Sequence, residues 1–544
     1  MKETSEYIVV GGGASGCAVT SQLLKNNNKV TLFEAGHNNK NFLIDWPAGF
    51  FKFINKSKFA TYHKTKPQKH LFNRENIVPQ GNVLGGGTSI NAQVYMRGRP
   101  EDYNEWNDIL SVNNNKADWD WETLLPYFRN MESNSTFKNT HHSQEGPLKV
   151  SHCKYINELT HDFVNSVASL GLEIVDDFNG HNPQNGVGYY QFMNSNGRRS
   201  SAANAFIDPE RKNPNLKLKL NSGVKKLIIE NNNVIGVEYI DRNGEHKKKF
   251  AEKEVILAPG SFITPKLLML SGIGDEKELS EHNIKCINHL PGVGKNLMDH
   301  PECPLIARAN GKYGYYKQGE GWRMIKNGIE FFFRGTGLVN SVGVEAGAFV
   351  NPLNRNDLSY IQAFFVPSIY MNADTIGVID PDYGMSITTV MTKPKSRGYV
   401  KLKSSNYEDP PEISLNLLKH EDDLKMMVAG QKFFMESLKQ GPLSNKVKEI
   451  ILPNQKDLDD KKIEEHCKRF VRTNYHPAGT AKMGADNDHM AVLNSKLQVR
   501  GIDNLRVCDM SAMPIINSGN TSAPAMMLGL RCGDFINEEL STNS

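Results

Sequence analysis

The chain has 544 residues, of which 39% are hydrophobic and 23% are charged, the composition of a globular protein with a large core. Its 64 basic and 60 acidic side chains leave a net charge of +4, so the composition gives no reason to expect nucleic-acid binding. No run of about 18 apolar residues predicts a transmembrane helix, and the first predicted strand begins too early for a signal peptide. The seven cysteines are scattered singly, which predicts reduced thiols in a cytoplasmic protein and no metal site.

The first predicted element is a βαβ unit. An apolar strand over residues 7–10 leads into the glycine-rich segment 11–16 and a helix over residues 17–24. A second apolar strand, residues 30–33, ends at Glu34. This order and spacing form the fingerprint of a dinucleotide-binding fold.

Each residue type in this fingerprint has a physical role. Gly11 permits the tight turn, Gly13 lets the backbone approach a pyrophosphate, and Gly16 lets helix and strand pack closely. The helix N-terminus offers N–H groups to the phosphates. Glu34 accepts hydrogen bonds from the ribose hydroxyls and repels a 2′-phosphate, which disfavours NADP. The unit predicts a nucleotide cofactor but does not distinguish NAD from FAD.

Two glycine-rich segments and a group of strands follow. Residues 82–91, NVLGGGTSIN, offer backbone N–H groups and hydroxyls to a ring edge or a phosphate, although an ordinary glycine-rich turn has the same composition. Residues 260–274, GSFITPKLLMLSGIG, predict a helix capped by Ser261 with Pro265 in its first turn. Further strands are predicted over residues 216–220, 224–230, 234–239 and 254–257.

The C-terminal half contains two candidate chemical groups. In YHPAGT, Pro477 restricts the backbone of His476, and histidine is the side chain best suited to accept a proton near neutral pH. A single histidine among 16 is more often a surface or core residue. In NSGNTSAP, Asn520 either hydrogen-bonds a substrate oxygen or caps the final helix, predicted over residues 523–537. Two earlier helices are predicted over residues 421–440 and 456–471.

These motifs occur in a fixed order along the whole chain, together with PGVGKNLMDH and LRVCD. In this combination the chain resembles the glucose–methanol–choline (GMC) oxidoreductases, which use FAD. The resemblance implies a mixed α/β (α+β) fold with two domains. A Rossmann-like FAD-binding domain is expected from residues 1–150, 196–300 and 470–544. A substrate-binding domain on a mainly antiparallel sheet interrupts it and is expected from residues 151–195 and 301–469.

The resemblance also implies a reaction and a set of site residues. We expect FAD-dependent oxidation of a small primary alcohol to the aldehyde, with His476 as general base, Asn520 holding the oxygen and the hydride passing to flavin N5. By the same likeness, Asp509 contacts the ribityl–pyrophosphate part of the cofactor, Val224 lies beside the adenine, and residues 91–94 lie by the flavin ring. The residues expected to bind the cofactor are Gly11, Gly13, Ala14, Ser15, Gly16, Glu34, Ala35, Gly86, Asn91, Ala92, Val94, Val224, Asp509, Met510 and Thr521.

Departures from the family pattern bear on the cofactor link and on the substrate. Some choline oxidases attach FAD through a histidine at the position of Ile90, so FAD is expected to be bound non-covalently. Glu345, in VEAGAF, resembles the acid that faces the trimethylammonium group of choline, which makes choline a candidate substrate. Lys393, where choline oxidase has a histidine, argues against a cationic substrate. Phe364 and Phe365 are expected to line the substrate pocket.

The motifs leave the electron acceptor open between O₂ and a quinone or another acceptor. A cytoplasmic location is expected, with peripheral membrane association if a quinone is the acceptor, and a homodimer is compatible with the sequence. The alternative function within the same family is a redox-silent FAD lyase or a photo-decarboxylase. The intact pair of His476 and Asn520 argues against the decarboxylase but not against the lyase.

Overall fold

The computed structural model describes residues 3–53, 56–111, 117–181, 184–334, 337–370, 377–454 and 458–542. Their α-helices are α1 (Ala14–Lys25), α2 (Phe42–Asp45), α3 (Pro100–Leu110), α4 (Trp121–Met131), α5 (Glu158–Ala168), α6 (Ile263–Leu270), α7 (Glu276–Glu281), α8 (Gly321–Arg334), α9 (Glu421–Ser437), α10 (Gly441–Ser444), α11 (Asp460–Phe470) and α12 (Ser522–Thr542).

The strands of the described residues belong to two large sheets and several small ones. In chain order they are β1 (Thr4–Val10), β2 (Val30–Phe33), β3 (Ala60–Lys64), β4 (Ile77–Gly81), β5 (Glu132–Asn134), β6 (Leu148–His152), β7 (Ile174–Val175), β8 (Gly186–Tyr189), β9 (Gln191–Phe192), β10 (Asn194–Ser195), β11 (Arg198–Arg199), β12 (Leu216–Lys219), β13 (Gly223–Glu230), β14 (Asn233–Ile240), β15 (His246–Leu257), β16 (Ile273–Gly274), β17 (Asn288–His289), β18 (Pro301–Ala309), β19 (Ala346–Val350), β20 (Ile361–Val366), β21 (Gly384–Met391), β22 (Tyr399–Lys401), β23 (Glu412–Ser414), β24 (Val447–Leu452), β25 (Arg472–Thr473) and β26 (Leu505–Val507).

The first large sheet contains the predicted βαβ unit. Its strand order is β12-β2-β1-β15-β14-β13, and β26 pairs with β15. Strands β12, β2, β1 and β26 run parallel to their neighbours, whereas β13 and β14 form an antiparallel hairpin that extends β15. Residues 7–10 are buried, as expected for a parallel strand that is covered on both faces. The carboxyl ends of β1, β2 and β15 meet at one edge of the sheet, which is where α/β folds bind ligands.

The glycines of the fingerprint permit close packing around α1. A Cβ atom at Gly16 would lie 1.9 Å from the carbonyl oxygen of Gly11, so helix and turn approach each other only without a side chain there. On the other side of the helix, a Cβ at Gly529 of α12 would lie 2.3 Å from the carbonyl oxygen of Ser15. Helix α1 is therefore held between its own turn and the C-terminal helix.

The second large sheet is antiparallel except at one edge. Its order is β24-β18-β21-β20-β19-β8-β7, with β25 paired to β18, and only β7 and β8 run parallel. Helices α5 and α9 pack on one face, where the ring of Phe365 stacks on Phe163 at a centroid distance of 4.7 Å. Successive strand residues face opposite sides, so Phe364 faces the other side of the sheet.

The predicted mixed α/β architecture with a mainly antiparallel second sheet is confirmed. The strands of the first sheet all lie in the segments predicted for the FAD-binding domain. Those of the second sheet lie in the segments predicted for the substrate domain, except Arg472–Thr473. The domain limits themselves stay a prediction. Of the helix predicted over residues 456–471, residues 456 and 457 lie outside the described residues, and α11 covers residues 460–470 of the remainder.

One predicted cap is wrong. Phe262, not Ser261, stands at the N-cap of α6, and the Ser261 hydroxyl instead donates to the carbonyl oxygen of Pro477 at 2.7 Å. This bond ties the start of α6 to the His476–Pro477 segment. Within the part of the chain that the structure describes, no helix combines the length and the apolar character needed to span a membrane.

Candidate active site

A cavity of about 520 Å³ extends from the carboxyl edge of the first sheet to the second sheet. All the residues predicted to bind the cofactor line it except Gly16, whose role is the packing described above. His476, Asn520 and Phe364 line it as well. Glu345 and Phe365 do not line it. The ring of Phe365 stacks on Phe163 of α5, and the Glu345 carboxylate accepts a hydrogen bond from Thr160 of the same helix.

The nucleotide end of the cavity is built by the turn between β1 and α1. Gly11 has a φ of +100°, and a Cβ there would lie 2.4 Å from the carbonyl oxygen of Ala258, so the turn requires glycine. Helix α1 begins after Gly13 without a side-chain cap and without an acidic residue in its first turn. Its N–H groups and the positive end of its dipole therefore fit an anionic group such as a pyrophosphate.

Glu34 is fixed at the end of β2. Its carboxylate accepts hydrogen bonds from the backbone N–H groups of Gly12 at 2.9 Å and Gly36 at 2.7 Å. Burial raises the pKa of Glu34, although the two N–H groups oppose this by stabilising the charged form. The carboxylate is thus held in one orientation at the cavity wall, where a ribose would lie in a dinucleotide-binding unit.

Asp509 and Asn91 line the cavity, and hydrogen bonds within the protein orient both side chains. Asp509 accepts bonds from the N–H of Gly260 at 2.7 Å and the hydroxyl of Thr264 at 2.6 Å, and burial raises its pKa. Asn91 donates to the hydroxyl of Ser522 at 3.0 Å. These bonds orient both side chains before any ligand binds.

Arg199, which the sequence analysis missed, does not line the cavity but holds Asn91, which does. Its buried guanidinium donates to Asn91 Oδ1 at 2.8 Å and to the carbonyl oxygen of Thr88 at 3.0 Å. Burial lowers the pKa of Arg199 to about 9. Nothing in the local sequence distinguishes this arginine from exposed Arg198, because its partners lie about a hundred residues earlier in the chain.

His476 contacts a second histidine at the junction of the two sheets. Its Nδ1 lies 3.0 Å from Nδ1 of His300, and Nε2 of His300 lies 3.0 Å from the carbonyl oxygen of Asn517. The backbone N–H of His476 donates to Asp299 Oδ1 at 3.0 Å. Removal from water, reinforced by the neighbouring imidazole, lowers the pKa of His476 well below its ordinary value. His476 is therefore neutral at neutral pH.

Asn520 is oriented by a short chain of hydrogen bonds from β20. The hydroxyl of Tyr190 donates to the carbonyl oxygen of Ala363 at 2.8 Å, so its oxygen accepts from Gln362 Nε2 at 3.2 Å. The same Nε2 donates to Asn520 Oδ1 at 3.2 Å. This leaves the Nδ2 donor of Asn520 without a partner among the described residues, at the cavity wall.

The far end of the cavity contains a buried ion pair that the sequence analysis also missed. Glu302, two residues after His300, lines the cavity, and its Oε1 accepts from Nε of Arg472. Both side chains are buried, and the guanidinium lies over the ring of Tyr370 at 5.4 Å. The remaining wall at this end is mostly apolar and is formed by Phe51, Val344, Phe364, Val366, Tyr370, Thr388 and Tyr475.

Glu345 and Lys393 have partners away from the cavity. The Glu345 carboxylate accepts from the hydroxyls of Tyr315, Ser341 and Thr160, the last at 2.6 Å, and burial raises its pKa. The ammonium of Lys393 binds Glu105 at 2.7 Å and Asp102 at 3.3 Å, and it does not line the cavity. Neither residue presents its charge to a molecule in the cavity.

Comparisons with known proteins agree with this geometry. The chain is 36% identical to an alcohol dehydrogenase [acceptor] of Pseudomonas putida, over 98% of this chain and 95% of the relative. It is 33% identical, over the same shares, to an oxygen-dependent choline dehydrogenase of Brucella anthropi. A solved structure of formate oxidase from Aspergillus oryzae superposes with a TM-score of 0.90 at 25% identity, covering 99% of each chain.

Family profiles match both ends of the chain. Residues 5–302 match the N-terminal part and residues 394–529 the C-terminal part of the family described as GMC oxidoreductase. These segments contain the glycine turn, His476 and Asn520, which line the cavity, and His300, which contacts His476. The chain therefore belongs to the GMC oxidoreductase family, and it is a flavoenzyme that uses FAD to oxidise CH–OH groups.

Proposed function

We propose that the protein oxidises a small, uncharged primary alcohol to the aldehyde, with His476 as the general base. The observation that carries this proposal is the hydrogen-bonded chain from the Asn517 carbonyl through His300 to His476. These hydrogen bonds determine which nitrogen of His476 holds the proton, and therefore which nitrogen is available as a base.

The protonation state follows from the bonding partners. A carbonyl oxygen only accepts, so His300 donates to Asn517 from Nε2–H. A neutral His300 then has a lone pair on Nδ1, and His476 donates to it from Nδ1–H. The Asn474 amide nitrogen lies farther from this nitrogen, at 3.4 Å. His476 is left with an unprotonated Nε2, and it is this nitrogen that accepts the hydroxyl proton of the alcohol.

Asn520 supplies the complementary donor. Its Nδ2 is free for the alcohol oxygen because Gln362 already occupies Oδ1. A donor oriented in advance stabilises negative charge on that oxygen as the proton leaves, without a cost of reorganisation at that moment. Bound FAD supplies the acceptor for the hydride of the α-carbon. The protein's part is to hold the carbon, the base and the amide in a fixed relation.

The cofactor is proposed to be held without a covalent link. Ile90 lines the cavity at the position where a linking histidine stands in some relatives, and its alkyl side chain has no nucleophilic atom. Acid precipitation is expected to release all the flavin to the supernatant. Yellow colour that stays in the washed pellet would contradict this.

The substrate end favours an uncharged alcohol over choline. The one carboxylate among the residues that line this end, Glu302, is neutralised by Arg472, and the rest of the wall is largely apolar. A quaternary ammonium group prefers aromatic rings beside an uncompensated negative charge. One of the two similar relatives is named for alcohol and the other for choline, so their names do not decide between the substrates. The proposal therefore rests on the residues of the cavity wall.

Anaerobic mixing of the FAD-loaded enzyme with a panel of primary alcohols and choline tests the proposal. We expect neutral alcohols to bleach the flavin absorbance at a higher rate than choline at the same concentration. The reduced enzyme is then exposed separately to O₂ and to a soluble quinone, which identifies the acceptor. Failure of every alcohol to bleach fully loaded enzyme would overturn the proposal and favour a redox-silent lyase.

A further inference from the structure

Helix α8 exposes an apolar face to solvent. Five of its large apolar side chains lie on one face of the helix, because four of them are spaced three, four and three residues apart and the fifth follows the last. Met324 and Phe331 lie on the opposite side. They are exposed by at least half: Trp322 by 70%, Ile325 by 50%, Ile329 by 51%, Phe332 by 80% and Phe333 by 77%. No residue of α8 is buried. These five residues are called the apolar helix face below.

The helix is attached to the protein by a different side. The ring of Phe331 packs on Trp46 at a centroid distance of 5.7 Å and contacts Gly197, where an added Cβ would lie 2.7 Å from the ring. Asn327, one turn earlier on the same side, donates to the carbonyl oxygen of Gln318 at 2.9 Å. The apolar helix face is therefore not the side that packs against the protein's own core.

The exposed apolar surface continues from α8 to the cavity. Trp46, which holds Phe331, also contacts Phe42 at 5.3 Å, and these two rings are 37% and 58% exposed. Phe51 is 38% exposed and lines the cavity, where its ring contacts Tyr370. Phe51 thus stands where the cavity meets the surface. An apolar layer that covered α8 would also lie beside the cavity entrance.

We propose that the apolar helix face docks the protein onto the surface of a lipid bilayer with anionic headgroups. The residues from Lys317 to Arg334 contain four basic and two acidic side chains. Lys326 is exposed beside the apolar face, and Arg323 is exposed farther round the same side of the helix. Trp and Phe on one side of a helix with Lys and Arg flanking them is the composition of helices that lie in the membrane interface.

The aromatic residues suit a protein partner as well as a bilayer, and the lysine beside them favours the bilayer. The cores of protein interfaces are depleted of lysine, whereas basic residues beside a bilayer gain from the negative potential of anionic lipids. With α8 in the headgroup layer, an apolar alcohol or a lipid-soluble electron acceptor reaches the cavity directly from the bilayer past Phe51. Docking itself does not depend on the proposed reaction.

Sedimentation of the FAD-loaded protein with lipid vesicles tests the proposal. Vesicles of phosphatidylcholine and phosphatidylglycerol in equal parts are compared with vesicles of phosphatidylcholine alone. The variant Trp322→Ser/Phe332→Ser/Phe333→Ser is expected to lower the partition coefficient by about tenfold or more. The matched control, Ile174→Ser/Leu353→Ser, changes apolar side chains of similar exposure on other parts of the surface and is expected to bind like the wild type.

Flavin content and alcohol oxidation with a soluble acceptor show that each variant is folded. Wild-type protein that stays in the supernatant with anionic vesicles overturns the proposal, as does a triple variant that sediments like the wild type. Equal binding to both kinds of vesicle overturns the role of anionic headgroups. If light scattering shows a wild-type dimer that the triple variant loses, and vesicles bind neither form, the face joins two copies of the chain and the proposal is wrong.

Discussion

The Nδ1 atoms of His476 and His300 lie 3.0 Å apart, and since only one of them carries a hydrogen, each imidazole determines the tautomer of the other. The Asn517 carbonyl oxygen accepts a hydrogen bond from Nε2 of His300, so the hydrogen between the two Nδ1 atoms belongs to His476. A main-chain oxygen that is remote in sequence from both histidines thus directs the lone pair of His476 toward the cavity. The assignment of the base and the role of His300 are separately testable.

Replacement of the base is the first test. His476→Ala is expected to retain its fold and FAD but to reduce its flavin more slowly by on the order of 10²–10⁴-fold, the usual contribution of a general base. The residual rate is expected to rise with pH, because the alcohol must then ionise without help. Rapid anaerobic mixing measures this step. His246→Ala, at an exposed histidine, serves as the control. A yellow His476→Ala protein with a near wild-type rate would end the assignment.

His300 is expected to act as a positioning residue. His300→Leu removes the acceptor for His476 Nδ1–H, and we expect flavin reduction to slow by about tenfold or more. His300→Gln restores an acceptor and should recover much of the rate. The imidazole of His300 contributes to the low pKa of His476. In His300→Gln the pKa of His476 is expected to rise. Because the rate requires unprotonated His476, the pH at which the rate increases should be higher than in the wild type. An unshifted pH profile in both variants would contradict this role.

Glu34 is expected to contribute to FAD affinity through the ribose hydroxyls. Glu34→Ala removes a charged acceptor worth about 1.5–3 kcal/mol. Fluorescence titration of the apoprotein with FAD measures the dissociation constant, which should rise by about tenfold or more. Glu34→Gln keeps an acceptor for the Gly12 and Gly36 N–H groups and should have a smaller effect. An FAD affinity that is unchanged in both variants would refute the assignment.

The ion pair at the substrate end is expected to set the preference between neutral and cationic alcohols. Arg472→Met removes the guanidinium charge that offsets Glu302, so kcat/KM for choline relative to a neutral alcohol of similar size should rise by about tenfold. Removing both charges, in Glu302→Gln/Arg472→Met, should return the ratio to its original value.

Glu345→Gln is the matched control for this pair, because it alters a buried carboxylate that does not line the cavity. It should change kcat/KM equally for both alcohols. If Glu345→Gln lowers the choline value alone, the substrate contacts Glu345 and the proposed preference is mistaken. Because an unpaired buried charge destabilises a protein by about 3–5 kcal/mol, the comparison is made on protein with full flavin content.

The sequence predicted those parts of the site whose geometry is local. The fingerprint places Gly11, Gly13 and Glu34 together because one βαβ unit fixes their relative positions. Arg199 and the Glu302–Arg472 pair were missed because their contacts join segments far apart in the chain and leave no periodic signal.

Two predicted substrate residues show a second limit. Val344 and Phe364 line the cavity, whereas their neighbours Glu345 and Phe365 do not. Adjacent residues in an extended chain face opposite sides, so a shift of one position in the sequence decides whether a side chain faces the cavity. Both faces of this sheet are covered, and the adjacent residues Phe364 and Phe365 are equally apolar, so hydrophobic alternation does not show which of them faces the cavity.

The first large sheet also imposes an order on biosynthesis. Strand β26 pairs with β15, and α12 packs on α1, so the nucleotide-binding half is completed only after residues 505–542 have left the ribosome. Until then the emerging chain exposes the apolar side of α1 and an unpaired edge of β15. Pairings between such distant segments form slowly, and they leave nascent chains open to aggregation and to chaperone binding. The glycine turn is thus made well before strand β26 and helix α12, the segments that complete the half of the molecule in which it lies.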